Sequence, residues 1–177
     1  IPVLINQNGQ NIIASLRWGL IPAWAKDSSI GNKIINARAE TIAIKPSFKN
    51  AFQRRRCLIP VDGFYEWQKS GKAKKPFSIS LTSGVPFGLA GLYETWMSPE
   101  KEPIHTCTII TTEANELIQS IHDRMPVIVN KEYYNFWIDP DNSDQTGLLA
   151  ILKPYPASEM TMSPADPFII NKPGREK

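Results

Sequence analysis

Turn signals divide this chain into short segments, and that punctuation limits what it can become. Asn8-Gly9, Ser70-Gly71-Lys72 and Ser83-Gly84 each set a glycine beside a small polar residue, the composition of a tight reversal. Between them lie runs rich in β-branched and aromatic residues, which predict strands over residues 12–18, 57–60, 63–68, 77–82, 87–95, 106–111 and 125–129. Ile1-Pro2-Val3-Leu4-Ile5 opens the chain in the same apolar, strand-like manner. Short helices are predicted over 46–53, with Ser47 as the capping residue, and over 114–121, 131–138 and 143–152. No solenoid repeat or low-complexity linker interrupts this pattern. The expected architecture is α+β: one domain spanning 1–177, built around an antiparallel, partly closed β-sheet or barrel with short peripheral helices.

Composition narrows the class. With 177 residues, 42% of them hydrophobic, the chain suits one domain with a substantial core. A net charge of +3 permits an anionic partner without requiring one. The only cysteines, Cys57 and Cys107, sit in apolar strand-like runs and lack zinc-ligand spacing, so they read as buried free thiols in a reducing compartment. Two histidines and two separated cysteines argue against a metal site, and no cofactor is expected. No apolar run reaches membrane-spanning length and no signal peptide is visible, which points to a cytoplasmic protein, expected to be a monomer.

Three segments carry side chains suited to chemistry. In Asn36-Ala37-Arg38-Ala39-Glu40-Thr41, strand alternation puts Asn36, Arg38 and Glu40 on one face and the alanines on the other. An exposed Arg–Glu pair of little energetic worth explains that pattern equally well. In Asp62-Gly63-Phe64-Tyr65-Glu66-Trp67, Phe64 shares a face with Glu66 while Tyr65 and Trp67 point away. A carboxylate among aromatics loses hydration, so its pKa rises and it can hold or give a proton near neutrality. The alternative is a buried salt bridge to an arginine. The echo Gly91-Leu92-Tyr93-Glu94-Thr95-Trp96 leaves the choice between Glu66 and Glu94 open. In His122-Asp123-Arg124-Met125-Pro126 the histidine follows a predicted helix, whose C-terminus favours the imidazolium. That suits a general acid or, more plainly, a helix cap. His105 reads as a surface residue.

The cationic runs Arg54-Arg55-Arg56 and Lys69, Lys72, Lys74 and Lys75 are by default solvated faces. Arg17-Trp18-Gly19-Leu20-Ile21-Pro22-Ala23-Trp24 adds aromatics beside arginine. Exposed tryptophans there would stack on unpaired bases, at about 1–3 kcal/mol per base. Burial in the core is the competing explanation.

Seven ordered blocks now stand out: Trp18-Gly19-Leu20-Ile21-Pro22, Asn36-Ala37-Arg38-Ala39-Glu40-Thr41, Arg56-Cys57-Leu58-Ile59-Pro60, Asp62-Gly63-Phe64-Tyr65-Glu66-Trp67, Ala90-Gly91-Leu92, Ile109-Ile110-Thr111-Thr112-Glu113-Ala114-Asn115 and His122-Asp123-Arg124-Met125-Pro126-Val127. Together they resemble the SOS-response-associated peptidase family, also called abasic-site processing proteins, over residues 16–129. Beyond Leu152 the resemblance weakens. Ser163 and Ile170-Asn171 match the family's closing Val-Ser…Val-Asn pattern only loosely.

The resemblance implies a role in the DNA damage and SOS response. Family members bind single-stranded DNA and trap an abasic site through a cysteine exposed at the mature N-terminus. The cysteine's α-amine forms a Schiff base with the sugar aldehyde, and its thiolate closes a thiazolidine ring. An α-amino pKa of about 7.7–8.0 and a thiol pKa of about 8.5 leave both groups a reactive fraction at physiological pH. On the family pattern Asn36 hydrogen-bonds near the reacting centre and Glu66 moves protons at the amine and sugar. His122 assists ring opening or later proton transfer, and Glu94 is structural. Trp18, Arg38 and Thr111 or Thr112 would line the DNA channel beside Arg17, with Arg38 the strongest candidate for a phosphate contact.

One element of the family pattern has no match. The opening Met-Cys-Gly-Arg is not found in this sequence, and an upstream segment is expected to supply it. Cys57 and Cys107 are mid-chain and have no free amine, so neither substitutes. The Ile1 amine would reach a Schiff base but not a thiazolidine. Two further readings stand beside cross-linking. One is a peptidase acting on its own leader or on other proteins, with lyase activity as an accompaniment. The other is a non-catalytic single-strand-binding remnant, which predicts salt-sensitive binding and no covalent product.

Overall fold

In the computed structural model, which describes residues 1–70 and 73–166, the first reversal falls at Asn8-Gly9. Both residues take positive φ, 54° and 79°, the left-handed geometry of a two-residue hairpin, and they join β1 (Pro2–Gln7) to β2 (Gln10–Ser15). The run predicted over 12–18 breaks at the buried Leu16, so that Arg17–Trp18 forms a separate strand, β3. After a 3₁₀ turn at Ser28–Lys33 come β4 (Asn36–Arg38) and α1 (Lys49–Arg54). Then β5 (Arg56–Val61), β6 (Phe64–Ser70), β7 (Ala73–Leu81), β8 (Phe87–Met97) and β9 (Pro103–Glu113) form the predicted β-rich middle. Past β9 the elements shorten: α2 (Glu116–Gln119), β10 (Arg124–Pro126), β11 (Ile128–Val129), α3 (Tyr134–Ile138), α4 (Gln145–Ile151) and β12 (Met160–Pro164). The predicted turn residues Gly71 and Lys72, and the closing Ile170-Asn171, lie outside the described residues. Among the described residues no helix is long and apolar enough to cross a membrane.

Most pairings are antiparallel, in a sheet ordered β10-β9-β8-β5-β1-β2, and two are parallel, β3 and β4 along β9. This mixed sheet curls into a half-barrel, and a smaller antiparallel sheet, β12-β7-β6, is hydrogen-bonded separately and packs against it. Alternation sends the side chains of β5 and β8 into two cores. Leu58, Ala90 and Leu92 join Phe52, Trp137 and Leu148 beneath the helices. Cys57, Ile59 and Leu89 instead meet Ile79 and Met160 of the small sheet. Burial on both faces explains why Cys57-Leu58-Ile59 reads as continuously apolar and not as alternating. The loop into β4 depends on Gly19, whose φ is +112°. A Cβ there would stand 2.5 Å from the Gly31 carbonyl oxygen.

Two expectations are corrected here. The first helix begins at Lys49, and its capping position is the buried Phe48, with no side-chain hydrogen bond from Ser47. Turns that return Phe48 and Lys49 amides to the Lys45 carbonyl occupy the start of the predicted helix. The arginine run is not a solvated face either. Arg56 is 1% exposed and threads between α1 and α3. Its guanidinium donates to the carbonyls of Phe52 (2.7 Å) and Gln53 at the end of α1. It also donates to Trp137 (2.7 Å), Asp139 and Asn142 around the end of α3. These are the orphan acceptors that any helix C-terminus leaves, and one cation satisfies both sets. Arg55 pairs with Glu94 at 2.8 Å, which leaves Arg54 as the exposed member of the three.

Arg56→Met should therefore cost about 3 kcal/mol or more, because buried carbonyls lose a charged donor. Arg54→Met should stay within about 0.5 kcal/mol of wild type. Urea titration of both variants checks the contrast.

Candidate functional site

A defect in the sheet builds the site. β8 and β9 are paired from Met97↔Pro103 to Gly91↔Ile109, and then part. The 124–129 segment fills the gap, with Pro126 beside Thr111 of β9 and Ile128 beside Leu89 of β8. Between them Val127 donates to the Ile110 carbonyl and accepts from the Ala90 amide, both at 2.9 Å. On the other edge of β9, β4 runs parallel and sets Asn36 beside Ile109 and Arg38 beside Thr111. Strand β6 is tied to the turn before His122 by a 3.2 Å hydrogen bond from Gln68 Nε2 to the Ser120 carbonyl.

These segments surround a cavity of about 260 Å³ lined by Asn36, Arg38, Glu66, Thr111, His122, Arg124 and Met125. Five residues singled out in the sequence, from four distant segments, thus meet in one place. Burial pushes the Glu66 carboxyl above its ordinary range; nearby His122 and the Trp67 backbone amide oppose that rise, and Asp123 adds to it. The alternative of a buried Glu66–arginine pair is not observed among the described residues. Glu94 is instead the paired, 7% exposed carboxylate, with Arg55 as its partner. His122 Nδ1 lies 3.0 Å from the Arg124 amide and 3.1 Å from the Arg124 carbonyl oxygen. The amide suits an Nδ1 that accepts and the carbonyl an Nδ1 that carries a hydrogen, so the turn holds the ring with Nδ1 in either role.

The sequence misplaced Glu40. A 3₁₀ turn at Ala39–Thr41 ends the alternation at Arg38, so Glu40 does not continue that face. It grips Arg124 in a two-pronged ion pair, Nη1–Oε1 2.7 Å and Nη2–Oε2 3.0 Å, which holds its carboxyl below the ordinary range. Arg124 Nη2 also donates to the Thr111 carbonyl at 2.7 Å. The Arg38 side chain has no hydrogen bond or ion pair among the described residues, although its charge adds to the lowering of Glu40. The only early sign of the Glu40–Arg124 pair was the charge crowded into a short turn, and nothing local joins residues 84 positions apart.

The remaining candidates lie elsewhere. Thr112 is buried, because alternation along β9 turns it away from Thr111 and the cavity. Trp18 and Arg17 do not line the cavity. They sit farther along the same edge of β9, beside Cys107 and Thr106. Trp18 is 46% exposed, with its indole Nε1 donating to the Ile35 carbonyl at 2.9 Å. Cys57 and Cys107 are buried free thiols, and burial pushes Cys107 up to about 11. Among the described residues no group of His, Cys, Asp and Glu is arranged to hold a metal ion. His105 is exposed and lies 2.9 Å from the Thr95 hydroxyl.

A half-barrel whose split sheet gathers an amide, a raised carboxyl, a histidine and two arginines around one polar cavity is the class of structure defined here. The model of the SOS response associated peptidase (SRAP) family matches residues 1–172, and the chain belongs to that family. The abasic site processing protein YoqW of Bacillus subtilis is 52% identical over 158 residues, covering 89% of this chain and 70% of that protein. The abasic site processing protein HMCES of Gallus gallus is 29% identical, covering 92% of this chain and 55% of that protein. A crystal structure of a protein from Bacteroides thetaiotaomicron superimposes with a TM-score of 0.88 at 30% identity, covering 97% of this chain and 76% of that one.

The Glu66 environment has a thermal signature. A carboxyl whose folded pKa is raised favours the folded state while protonated, and that contribution is lost as pH rises through the folded value. Glu66→Gln should melt above wild type at neutral pH. The gap should close in acid, below the ordinary carboxylate range, where both side chains are neutral. Melting curves across pH check the sign.

Proposed function

We propose that this chain works in abasic-site processing, binding single-stranded DNA and capturing the ring-opened sugar as a covalent adduct through an N-terminal cysteine. The observation that carries the reading is the shared cavity of Asn36, Arg38, Glu66 and His122, in which burial raises the Glu66 carboxyl above its ordinary range. The names of the relatives at 52% and 29% identity point the same way.

The chemistry asks for protons in both directions. Opening of the sugar needs a proton on the ring oxygen and yields an aldehyde. The amine adds to that aldehyde, and the carbinolamine loses its hydroxyl as water to leave an imine. The thiol then adds across the C=N bond, its sulfur to carbon and its proton to nitrogen, which closes the thiazolidine. Glu66 gives the proton that expels water and takes one from the incoming ammonium. His122, which lines the same cavity, serves ring opening. Asn36 orients the sugar oxygens, and Arg38, the unpaired cation at the rim, meets the adjacent phosphate.

Cys57 and Cys107 are excluded as the nucleophile by burial and by the lack of a free amine, so the test uses the product of the complete gene. Incubated with a single-stranded oligonucleotide carrying one abasic site, it should gain the mass of the oligonucleotide less one water. Salt-sensitive binding without that mass gain would instead favour a non-catalytic binding protein. The family's peptidase name is accommodated by self-processing in the same cavity, read out as removal of residues ahead of the cysteine.

Two variants separate chemistry from binding. Glu66→Gln should slow adduct formation by about 100-fold while leaving affinity for single strands unchanged. Arg38→Ala should weaken binding to any single strand and flatten the salt dependence by about 0.7 in log–log slope. Single-turnover cross-linking and anisotropy titrations read these outcomes.

A further inference from the structure

An exposed ion pair stabilises a fold weakly, yet Glu40 and Arg124 meet in a more exacting arrangement than stability requires. Their contact is two-pronged, at 2.7 and 3.0 Å, between a half-exposed carboxylate and a guanidinium that is only 21% exposed. Arg124 Nη2 adds a 2.7 Å bond to the Thr111 carbonyl, while Nε is buried and has no partner among the described residues. The guanidinium is therefore held through its two Nη groups alone, and Glu40 takes both of them.

The pair spans β9. Along one edge β4 sets Arg38 beside Thr111 and leads straight into the Ala39–Thr41 turn that bears Glu40. On the other edge lies β10, with Arg124 beside Glu113 and Pro126 beside Thr111. The ion pair thus ties the wall that carries Asn36 and Arg38 to the wall that carries His122. Among the described residues no other side-chain hydrogen bond joins these two walls.

His122 hangs on the same arginine. Its Nδ1 lies 3.0 Å from the Arg124 amide and 3.1 Å from the Arg124 carbonyl oxygen. The ring is therefore oriented by the backbone of the residue whose side chain Glu40 grips. Other bonds hold the turn itself: the His122 amide donates to the Ile118 carbonyl at 2.9 Å, and the Ala114 amide to the Asp123 carbonyl at 3.0 Å. Gln68 adds its bond to the Ser120 carbonyl. Without the ion pair the turn would still form, and the ring would lose its register against the opposite wall.

We infer that Glu40, which lies outside the cavity, is a positioning residue for His122. Acting through Arg124, it sets the imidazole against Asn36, Arg38 and Glu66, and it cancels the Arg124 charge beside them. This inference rests on the cross-linking reading proposed above. A shift of about 1 Å in a reacting group costs about 100-fold in rate, so a clamp that adds little stability can still govern the chemistry.

The test uses the product of the complete gene and saturating single-stranded oligonucleotide carrying one abasic site. Glu40→Gln should slow single-turnover adduct formation about tenfold, and it should have almost no further effect in a His122→Ala background, because the two residues act as a unit. Affinity for a strand carrying a tetrahydrofuran abasic analogue should not fall. Its salt slope should steepen by up to about 0.7 as the Arg124 charge is uncovered. A Glu40 that serves only the fold predicts weaker binding and the same loss of rate in both backgrounds. Equal losses, weakened binding or an unchanged rate in Glu40→Gln each overturn the positioning role and leave cross-linking at the cavity standing. If melting shows Glu40→Gln to be poorly folded, Glu40→Asp, which keeps the charge and shortens the reach, enters the same cycle and must show the same dependence on His122. Wild type that forms no adduct overturns the underlying reading and the positioning role with it.

Discussion

Strand β9 must satisfy its backbone groups on both edges, and the rest of the site depends on how it does so. Its neighbour β8 serves one edge only as far as Ile109. Beyond that point the unpaired N–H and C=O groups would carry a desolvation cost in a buried sheet. The 124–129 segment fills one side and β4 the other. That hydrogen-bonding requirement delivers Arg124 and His122 on one flank of Thr111 and Asn36 and Arg38 on the other.

Charge is then distributed unequally among the arginines. Arg56 is consumed in joining two helix ends, Arg55 in pairing with Glu94, and Arg124 in pairing with Glu40. Arg38 keeps its charge available at the cavity. An arginine without an ion pair among the described residues thus lines the same cavity as a carboxyl that burial has raised. Had Glu40 paired with Arg38, as strand alternation alone suggested, the rim would have been neutralised. The 3₁₀ turn at Ala39–Thr41 prevents this by ending the strand one residue early.

Much of the fold was legible because its signals are local. Asn8-Gly9 predicted its hairpin, the β-rich runs predicted the central strands, and the run expected over 57–60 became part of β5, with Cys57, Leu58 and Ile59 buried on both faces. The helix expected over 131–138 is present as a 3₁₀ turn at Lys131–Tyr133 running into α3, and α4 lies within 143–152. The one expected over 114–121 shrinks to a single turn, α2, capped by Asn115, whose side-chain amide also holds the Tyr155 carbonyl. The parallel pairings of β3 and β4 were not legible, because edge pairing depends on which backbone groups other strands leave unsatisfied. The arginine run misled for a similar reason. Its value lies in helix-end carbonyls more than 80 residues away, at Trp137 and Asp139.

By itself the sequence determined the residue types of the site and the local geometry of the turns and strands that carry them. Backbone conformation and alternation are set by near neighbours, so Asn36, Glu66 and His122 could be singled out from short windows. Only the tertiary structure decided which charges cancel, that Glu40 takes Arg124 and Glu94 takes Arg55, and hence that Glu66 and Arg38 stay unpaired within reach of one cavity. Burial and ion pairing depend on segments that approach one another only after the sheet has formed, and no window of sequence contains both partners.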